Sequence, residues 1–513
     1  MNGAGKMDII KEIEGKIPQR IKVCFMSGLF FGFLTHMAML VHKLPNWDDL
    51  GNYHAFGSGS EFGRWFIRYL HPLGGTWSNP WINGSITIIL LAVAFCFFYE
   101  GLELRSITSA VLFPMIFMTF PSLASIMTYM FMVDFSALSI CLTAVSFYLA
   151  RRCRLGFLWG IFPLVFSMGI YQSHICFTIS VLLMALLIDA VKVENTFKQL
   201  IKRGFSYALM LACSTVLYYV VAIVRYPNLI QTEQNGIGTM GQISLLRIPK
   251  LMVKAYLRIA KYFFLGSYSF QSSFMRVCNI AVFVVLVILF ILLIRKREIY
   301  KSKGNLAFSI LCVFLFPLGM SFVDVMAPEA NFSTLMIYQF AFFYAAILVL
   351  YEQLAESERL FSKWVSLCGI LLILLTSYGD YLVSNEAYFR MQMAYERVYG
   401  YINRILVRVE SMEGYQAGDP ILLVGIFDQE SMNGYRMDEE KFFDFSGVAM
   451  EYGLMTPGAR EDFIRIFFGR QIEYMDVSEW EEIKAAPEFQ SMSVYPAEQS
   501  IRKIGSRWIV RIS

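Results

Sequence analysis

The chain has 513 residues, of which 57% are hydrophobic and 16% are charged, and its formal net charge is +4. A mean hydropathy of +0.52 lies outside the range of soluble domains and excludes an ordinary soluble protein. The apolar segments approach the ~20 residues that a helix needs to cross a bilayer, whereas barrel strands alternate over ~10 residues. The composition therefore predicts an all-α polytopic membrane protein.

About eleven apolar segments are predicted to span the membrane as helices. They lie near residues 21–42, 83–100, 107–123, 126–150, 155–172, 174–191, 204–224, 277–294, 305–323, 334–351 and 364–383. Short loops rich in Lys and Arg follow the fourth, sixth and eighth of these segments and share a side with the basic N-terminus. The positive-inside rule makes that side cytoplasmic, so the two long loops 43–82 and 225–276 are predicted to lie outside.

The last part of the chain has a different character. Residues 1–383 form the predicted transmembrane domain, and residues 384–513 form a predicted small extracytoplasmic α/β domain. Within that domain, Asn385 to Glu413 has a helical pattern, whereas residues 419–425 and 506–513 have the patterns of strands.

The loop 43–82 is the strongest candidate for a functional site. It holds the adjacent carboxylates Asp48 and Asp49, the cations Arg64 and Arg68, and four tryptophans among many glycines. A polar, glycine-rich loop cannot lie in hydrocarbon, so it must sit at the interface or line a cavity there. Capping of a helix or simple solvation is the alternative account of the two carboxylates. We expect the loop to form one wall of an active site.

The second long loop contains a cationic stripe at helical spacing. Its members are Arg247, Lys250, Lys254, Arg258 and Lys261. On a helix these residues form one continuous face, with apolar residues on the opposite faces, as in an interfacial amphipathic helix. General binding of lipid headgroups and recognition of one lipid phosphate are both consistent with this pattern.

A third group consists of polar residues inside or at the ends of predicted spans. These candidate cavity residues are Asp134, Tyr171, Gln172, His174 and Asp324. Ionisable groups in a membrane are costly and usually face the bundle interior or an aqueous cavity. For Asp134 a structural hydrogen bond is an equally good explanation, and for His174 the structural explanation is favoured.

An acid together with an array of cations suits sugar transfer from a polyprenyl phosphate. The departing phosphate is stable as an anion and needs cations around it rather than a proton. One carboxylate then suffices as the general base that deprotonates the acceptor hydroxyl. A glycosidase would need two carboxyl groups, because its leaving group must be protonated.

The order of these features resembles the bacterial membrane glucosyltransferases of the type-II Gtr family. The resemblance rests on the external Asp48–Asp49 pair, a GRW motif at 63–65, an IYQ motif at 170–172 and the segment YPAEQSIRKIG at 495–505. It implies a GT-C-like fold in a bacterial cell membrane, and the positive-inside rule predicts a cytoplasmic N-terminus. It also implies an inverting transfer, with glucose as the expected sugar, from a polyprenyl-phosphate donor to an extracytoplasmic glycopolymer.

The resemblance also implies roles for residues and partners. The expected base is Asp48 or Asp49, and we favour Asp48 because two neighbouring residues of a helical turn point in different directions. From their chemistry, Arg64 and Arg68 are expected to contact the donor phosphate or to hold the carboxylate, and the cationic stripe is expected to bind the phosphate. A flippase and a polyprenyl-phosphate sugar synthase are further candidate partners, and no nucleic acid is expected.

Two other classes of protein share some of these features. A transporter or flippase of a lipid-linked saccharide would have a similar bundle, although the sequence shows no repeat of one half in the other. A glycopolymer polymerase would also place cations outside. No metal-ligand spacing is evident, so no cofactor is expected, and assistance of the phosphate by a divalent cation is left open.

Overall fold

The computed structural model describes residues 15–54, 62–70, 77–192, 194–227, 245–329, 333–354, 360–427 and 445–513. Most of the basic N-terminus and parts of both long loops therefore lie outside the described residues. Within them, eight helices are long and apolar enough to cross a membrane. They comprise Gln19–Val41, Pro80–Gly101, Met130–Arg152, Gln172–Ala190, Phe197–Arg225, Ser273–Lys296, Lys303–Met320 and Phe361–Glu410.

Three predicted spans take other forms, so the expected count of eleven is not confirmed. The segment 107–127 divides into helices Ile107–Thr119 and Pro121–Met127, which meet at an angle of 53°. The apolar stretch Gly156–Ile170 is too short to pass the same test. Thr334 begins a run of 3-10 turns that precedes the short helix Phe342–Leu354.

Small residues bring the first helices into close contact. A Cβ atom added at Gly28 would lie 2.9 Å from the Cβ atom of Ala92, and one added at Gly32 would lie 2.6 Å from the side chain of Ile88. Helices in a membrane associate through close packing of this kind, because lipid tails are as apolar as the side chains and the hydrophobic effect does not drive the helices together. The first two long helices are thus locked side by side around the loop that joins them.

The basic loops meet at one end of the bundle. Arg151 binds Asp189 through two hydrogen bonds of 2.5 and 2.7 Å, and Arg203 binds the same carboxylate. Asn305, which follows the third basic loop, donates to the carbonyl oxygen of Asn195 over 2.9 Å. The three loops used to predict orientation therefore share one end, as expected, and the identity of that side stays a prediction.

The last long helix, Leu360–Glu410, has 51 residues and is about 76 Å long. It continues through the predicted boundary at residue 383 without a break and includes most of the predicted helix from Asn385 to Glu413. Its distal residues Val398, Ile402 and Ile405 belong to the core of the C-terminal region. One rigid element thus connects the bundle to that region.

A three-stranded sheet lies beyond this helix. Its strands are β1 (Ile421–Val424), β2 (Ile501–Ile504) and β3 (Arg507–Arg511), in the order β1-β3-β2. The central strand β3 is parallel to β1 and antiparallel to β2. Short helices cover the sheet, namely Glu451–Leu454, Ala459–Phe468, Trp480–Ala485 and Pro487–Gln490.

The C-terminal region packs directly against the first loop. Leu50 of that loop is fully buried in the same apolar cluster as Phe463. A Cβ atom added at Gly453 would lie 3.2 Å from the indole of Trp47. Farther along the surface, Ser446 accepts from and donates to Thr334. The sheet region therefore covers the end of the bundle that carries Asp48.

Candidate active site

The two adjacent carboxylates lie in a short helix, Trp47–Gly51. This helix begins where the side chain of Asn46 accepts a hydrogen bond of 2.8 Å from the backbone N–H of Asp49. A cap of this kind fixes the first turn, and carboxylates in that turn interact favourably with the helix dipole. Because Asp48 and Asp49 are consecutive in the turn, their side chains face different surroundings.

Asp49 is fully buried and its oxygens are all engaged. Lys43 donates to one oxygen over 2.5 Å, and the Ser78 hydroxyl donates to the other over 2.7 Å. The backbone N–H of Phe131 completes the set at 3.1 Å. This carboxylate ties both ends of the loop to the third long helix, and it has no free position for an acceptor hydroxyl.

Asp48 is exposed, yet neighbouring protein atoms partly desolvate its carboxyl group, and we call the space in front of it the recess. The surrounding protein atoms raise the pKa of its carboxyl group above the usual 3.8, while the charge of Arg64 acts to lower it and that of Asp49 to raise it. Asp48 also acts with burial to raise the pKa of the nearby Tyr129. The carboxylate is thus accessible, close to a cation and more basic than an ordinary aspartate.

The GRW and IYQ motifs meet beside this recess. Gln172 donates to the carbonyl oxygen of Phe62 over 2.6 Å and to the hydroxyl of Tyr218 over 2.8 Å. The Phe66 N–H donates to the carbonyl oxygen of Gly169 over 2.8 Å. The Trp65 ring lies so close to Gly169 that an added Cβ atom would be 2.7 Å from it. The two motifs therefore form one structural unit.

This unit holds the guanidinium group of Arg64 in place. The group lies over the ring of Tyr171 at 5.0 Å and near the ring of Phe62 at 5.9 Å. Its Nη1 atom lies 4.0 Å from the sulfur of Met132, and its Nε atom is buried without a hydrogen-bond partner. Among the described residues Arg64 forms no ion pair, so most of its donors are available to an anionic ligand.

The cationic stripe lies on helix Ile248–Phe263 and on the turn just before it. Arg258 binds Asp324 through bonds of 2.5 and 2.7 Å, and Lys254 lies 3.3 Å from the same carboxylate. Asp324 is only 1% exposed. Arg247, Lys250 and Lys261 are exposed on the surface. The structure thus separates the stripe into two paired cations and three exposed ones.

Apolar packing connects the stripe to the unit that contains Arg64. Val323, next to Asp324, packs in one buried cluster with Trp65, Ile175 and Cys176. Asp324 is therefore adjacent to the packing that supports the GRW motif. Arg258 and Asp324 are in direct contact, whereas Arg64 acts on Asp48 through its charge, without an ion pair between them.

The remaining candidates have mixed surroundings. Asp134 is buried facing Asn83 of the neighbouring helix, and its Oδ1 atom has no hydrogen-bond partner. His174 is buried, with Nδ1 2.7 Å from the Ser139 hydroxyl and its ring against Tyr171. Arg68 is exposed on the short helix Ile67–Leu70.

Several residues of the site were not anticipated from the sequence. Lys43 and Ser78 hold Asp49, Tyr129 borders Asp48, and Tyr218 supports Gln172. Tyr129 follows the helix that begins at Pro121. A proline inside an apolar segment indicates a helix break, so an interruption near Tyr129 could have been predicted from the sequence. The other three contacts depend on tertiary structure, and no local pattern indicates them.

The fold and the site define a polytopic helical protein with an accessible carboxylate near a guanidinium group that forms no ion pair within the described part of the chain. The family model described as "Glucosyl transferase GtrII" matches residues 37–350, and the chain belongs to this family. The match covers more than half of the chain, including Asp48, Arg64, Gln172 and Arg258. No curated protein and no solved structure matches the chain. The protein is accordingly a membrane-type glycosyltransferase.

Proposed function

We propose that this protein transfers glucose from a polyprenyl-phosphate donor to a hydroxyl group of an extracytoplasmic glycopolymer, with Asp48 as general base. The observation that carries the proposal is an exposed carboxylate with a raised pKa, near a guanidinium group that forms no ion pair with any described residue. A base and an anion-binding cation are the two groups that this reaction requires.

The proposed step balances with these two groups alone. The acceptor hydroxyl gives its proton to the Asp48 carboxylate while its oxygen forms a bond to C1 of the sugar. The bond between C1 and the phosphate oxygen breaks, and the electron pair leaves with the phosphate. Attack opposite to the phosphate inverts the anomeric centre. Arg64 stabilises the departing anion, and its rigid position over Tyr171 avoids reorganisation during the step.

In this proposal Asp49 has a supporting role. Its carboxylate already accepts from Lys43, Ser78 and Phe131. Such an arrangement holds the helix Trp47–Gly51, which also carries Asp48, in a fixed position. The preference for Asp48 over Asp49 therefore rests on accessibility.

The test uses purified protein in membranes with a polyprenyl-phosphate glucose donor and envelope glycopolymer. Asp48→Asn should lower kcat by about 10²–10⁴-fold, the usual contribution of a general base. Asp476→Asn, at an exposed carboxylate of the sheet region, serves as the matched control and should keep full activity. Transfer at the parental rate by a correctly folded Asp48→Asn variant would rule out the base assignment.

The exposed part of the cationic stripe is proposed to attract the donor phosphate. Lys250 lies on the exposed side of an amphipathic helix whose other side packs through Leu251, Ala255 and Ile259. Lys250→Glu should raise the KM for the donor several-fold with little change in kcat. Lys484→Glu, in the sheet region, is the control for a general change of charge. An unchanged KM would remove the stripe from the donor site.

A further inference from the structure

A continuous row of aromatic rings runs from the first loop onto the C-terminal region. We call it the aromatic strip, and its members in spatial order are Trp77, Tyr53, Phe467, Tyr395, Tyr399 and Phe468. Successive ring centroids are separated by 5.6, 6.4, 5.1, 6.2 and 4.5 Å. The strip therefore links two parts of the chain that are more than 300 residues apart.

Packing alone does not account for the strip. Trp77 is 56% exposed and Tyr399 is 39% exposed, whereas rings that only hold two parts together are buried. Exposed apolar patches of this kind mark interaction sites on protein surfaces. The exposed rings are the first and the fifth of the strip, and the other four are partly exposed.

The surroundings of the strip are aqueous rather than lipid. Phe467 and Phe468 end the helix Ala459–Phe468, where Arg465 is paired with Asp462 over 2.6 Å on an exposed surface. Arg470, just beyond the helix, binds Glu410 over 2.5 Å. Charged pairs at this density do not belong in hydrocarbon. Trp81 differs, since it is 54% exposed and packs near Phe33 of the first apolar helix.

The strip begins beside the helix that carries Asp48. Tyr53 follows this helix, and the backbone N–H of Ser78 donates to the Tyr53 carbonyl oxygen over 3.0 Å. His54 pairs with Trp77 in an isolated β-bridge, and their rings are 4.5 Å apart. A Cβ atom added at Gly51 would lie 3.9 Å from the carboxylate of Asp462. The beginning of the strip therefore lies beside the helix Trp47–Gly51, which carries the proposed base.

We infer that the aromatic strip is the acceptor subsite, which binds successive sugar residues of a glycan chain. This inference rests on the proposed function and names the surface that holds the acceptor. Sugar rings present flat faces of C–H groups that pack on the electron-rich faces of aromatic rings, and tyrosine hydroxyls offer hydrogen bonds at the edges. The two exposed rings, Trp77 and Tyr399, suit a polymer, because they can meet different residues of one glycan chain. Phe467 and Tyr395, which lie between them in the strip, pack against the core.

The experiment compares Trp77→Ala and Tyr399→Ala with the conservative variants Trp77→Phe and Tyr399→Phe. The KM for envelope glycopolymer should rise about five- to tenfold in each Ala variant and recover in each Phe variant. The kcat and the KM for the polyprenyl-phosphate donor should not change. Trp81→Ala is the matched control for a tryptophan at the membrane interface and should behave as the parent protein.

Binding of the same glycopolymer fraction, measured without donor by calorimetry, separates this inference from the proposed function. The Ala variants should bind it more weakly, whereas Asp48→Asn should bind it normally. A parent protein that binds glycopolymer through Trp77 but transfers no sugar would overturn the proposed reaction and keep the strip. Unchanged binding and KM in both Ala variants, or equal losses in Trp81→Ala, would overturn the strip.

Discussion

At the scale of single residues, the two neighbouring carboxylates have opposite environments. Asp49 is held by a buried network, and Asp48 faces a recess in which nearby protein raises its pKa. A carboxyl group whose pKa is higher in the folded chain than in the unfolded chain destabilises the folded state. This effect is present at every pH above the unfolded pKa, because the charged form is the one that folding disfavours. Replacing Asp48 by Asn should therefore not lower the Tm, although it removes the base.

The position of Arg64 leads to a prediction about pH. A base acts when deprotonated, so kcat/KM should fall as the pH drops through the pKa of Asp48, which lies above 3.8. Arg64→Met removes the charge that lowers this pKa, and the acid limb should move to higher pH. Arg64→Lys keeps the charge and should keep the limb near its original position. Identical pH profiles of kcat/KM for the Arg64→Met and Arg64→Lys variants would contradict electrostatic coupling between Arg64 and Asp48.

The ion pair between Lys43 and the buried Asp49 gives a prediction about stability. Lys43→Met leaves the fully buried carboxylate without its cation, and loss of one member of such a pair costs about 3–5 kcal/mol. The variant should show a clearly lower Tm in detergent and reduced activity. Lys43→Met combined with Asp49→Leu removes both charges and should recover much of the Tm. Equal losses in the single and double variants would argue against the ion pair.

The sequence predicted the turn that holds both carboxylates but not the division of their roles. The partners Ser78 and Phe131 lie 29 and 82 positions from Asp49. A local sequence pattern carries no information on contacts at that separation. Whether Asp48 or Asp49 is buried depends on which distant segments of the chain pack against the helix Trp47–Gly51. Arg64 and Gln172 were likewise named separately, and their connection through Phe62 became visible only in three dimensions.

At the scale of elements, helices were predicted better than their interruptions. Every predicted span contains helix, but Pro121 begins a new helix at 53° to the one before it. The strand β3 was predicted from alternation, yet Trp508, Ile509 and Val510 are all buried. Trp508 and Val510 face one apolar cluster and Ile509 faces another. A central strand covered on both faces loses the alternation of an exposed one.

The segment of residues 445–450 gives a prediction at this scale. Gly447 has a φ of +81°, and a Cβ atom there would lie 1.9 Å from the Thr128 hydroxyl and 2.7 Å from the Tyr129 ring. Gly447→Ala should displace this segment from the edge of the recess, lower the transfer rate and increase hydrogen exchange at 445–450. Gly469→Ala is the control, since its φ is +63° but no atom lies within 4 Å. Similar effects of both substitutions would indicate backbone strain alone.

At the scale of the whole molecule, the two ends of the bundle have different chemistry. The helix Val133–Arg152 is about 30 Å long, comparable to the hydrocarbon thickness of a bilayer. Its first turn lies near the recess of Asp48 and Arg64, and its last turn lies in the network of Arg151, Asp189 and Arg203. An orientation with the basic end inside therefore places the recess and the sheet region on the outer face, where a glycopolymer acceptor would be found.

Sidedness can be measured with a maleimide that does not cross membranes. Cys153 is exposed at the basic end, whereas Ser506 is exposed in the turn between β2 and β3. In intact cells the reagent should label Ser506→Cys placed in a Cys153→Ser background, and it should label the natural Cys153 only after permeabilisation. The Cys153→Ser variant without the second substitution is the control, because any labelling of it comes from the remaining cysteines in the apolar helices. Labelling of Cys153 in intact cells, with Ser506→Cys protected, would place the recess in the cytoplasm and exclude an extracytoplasmic acceptor.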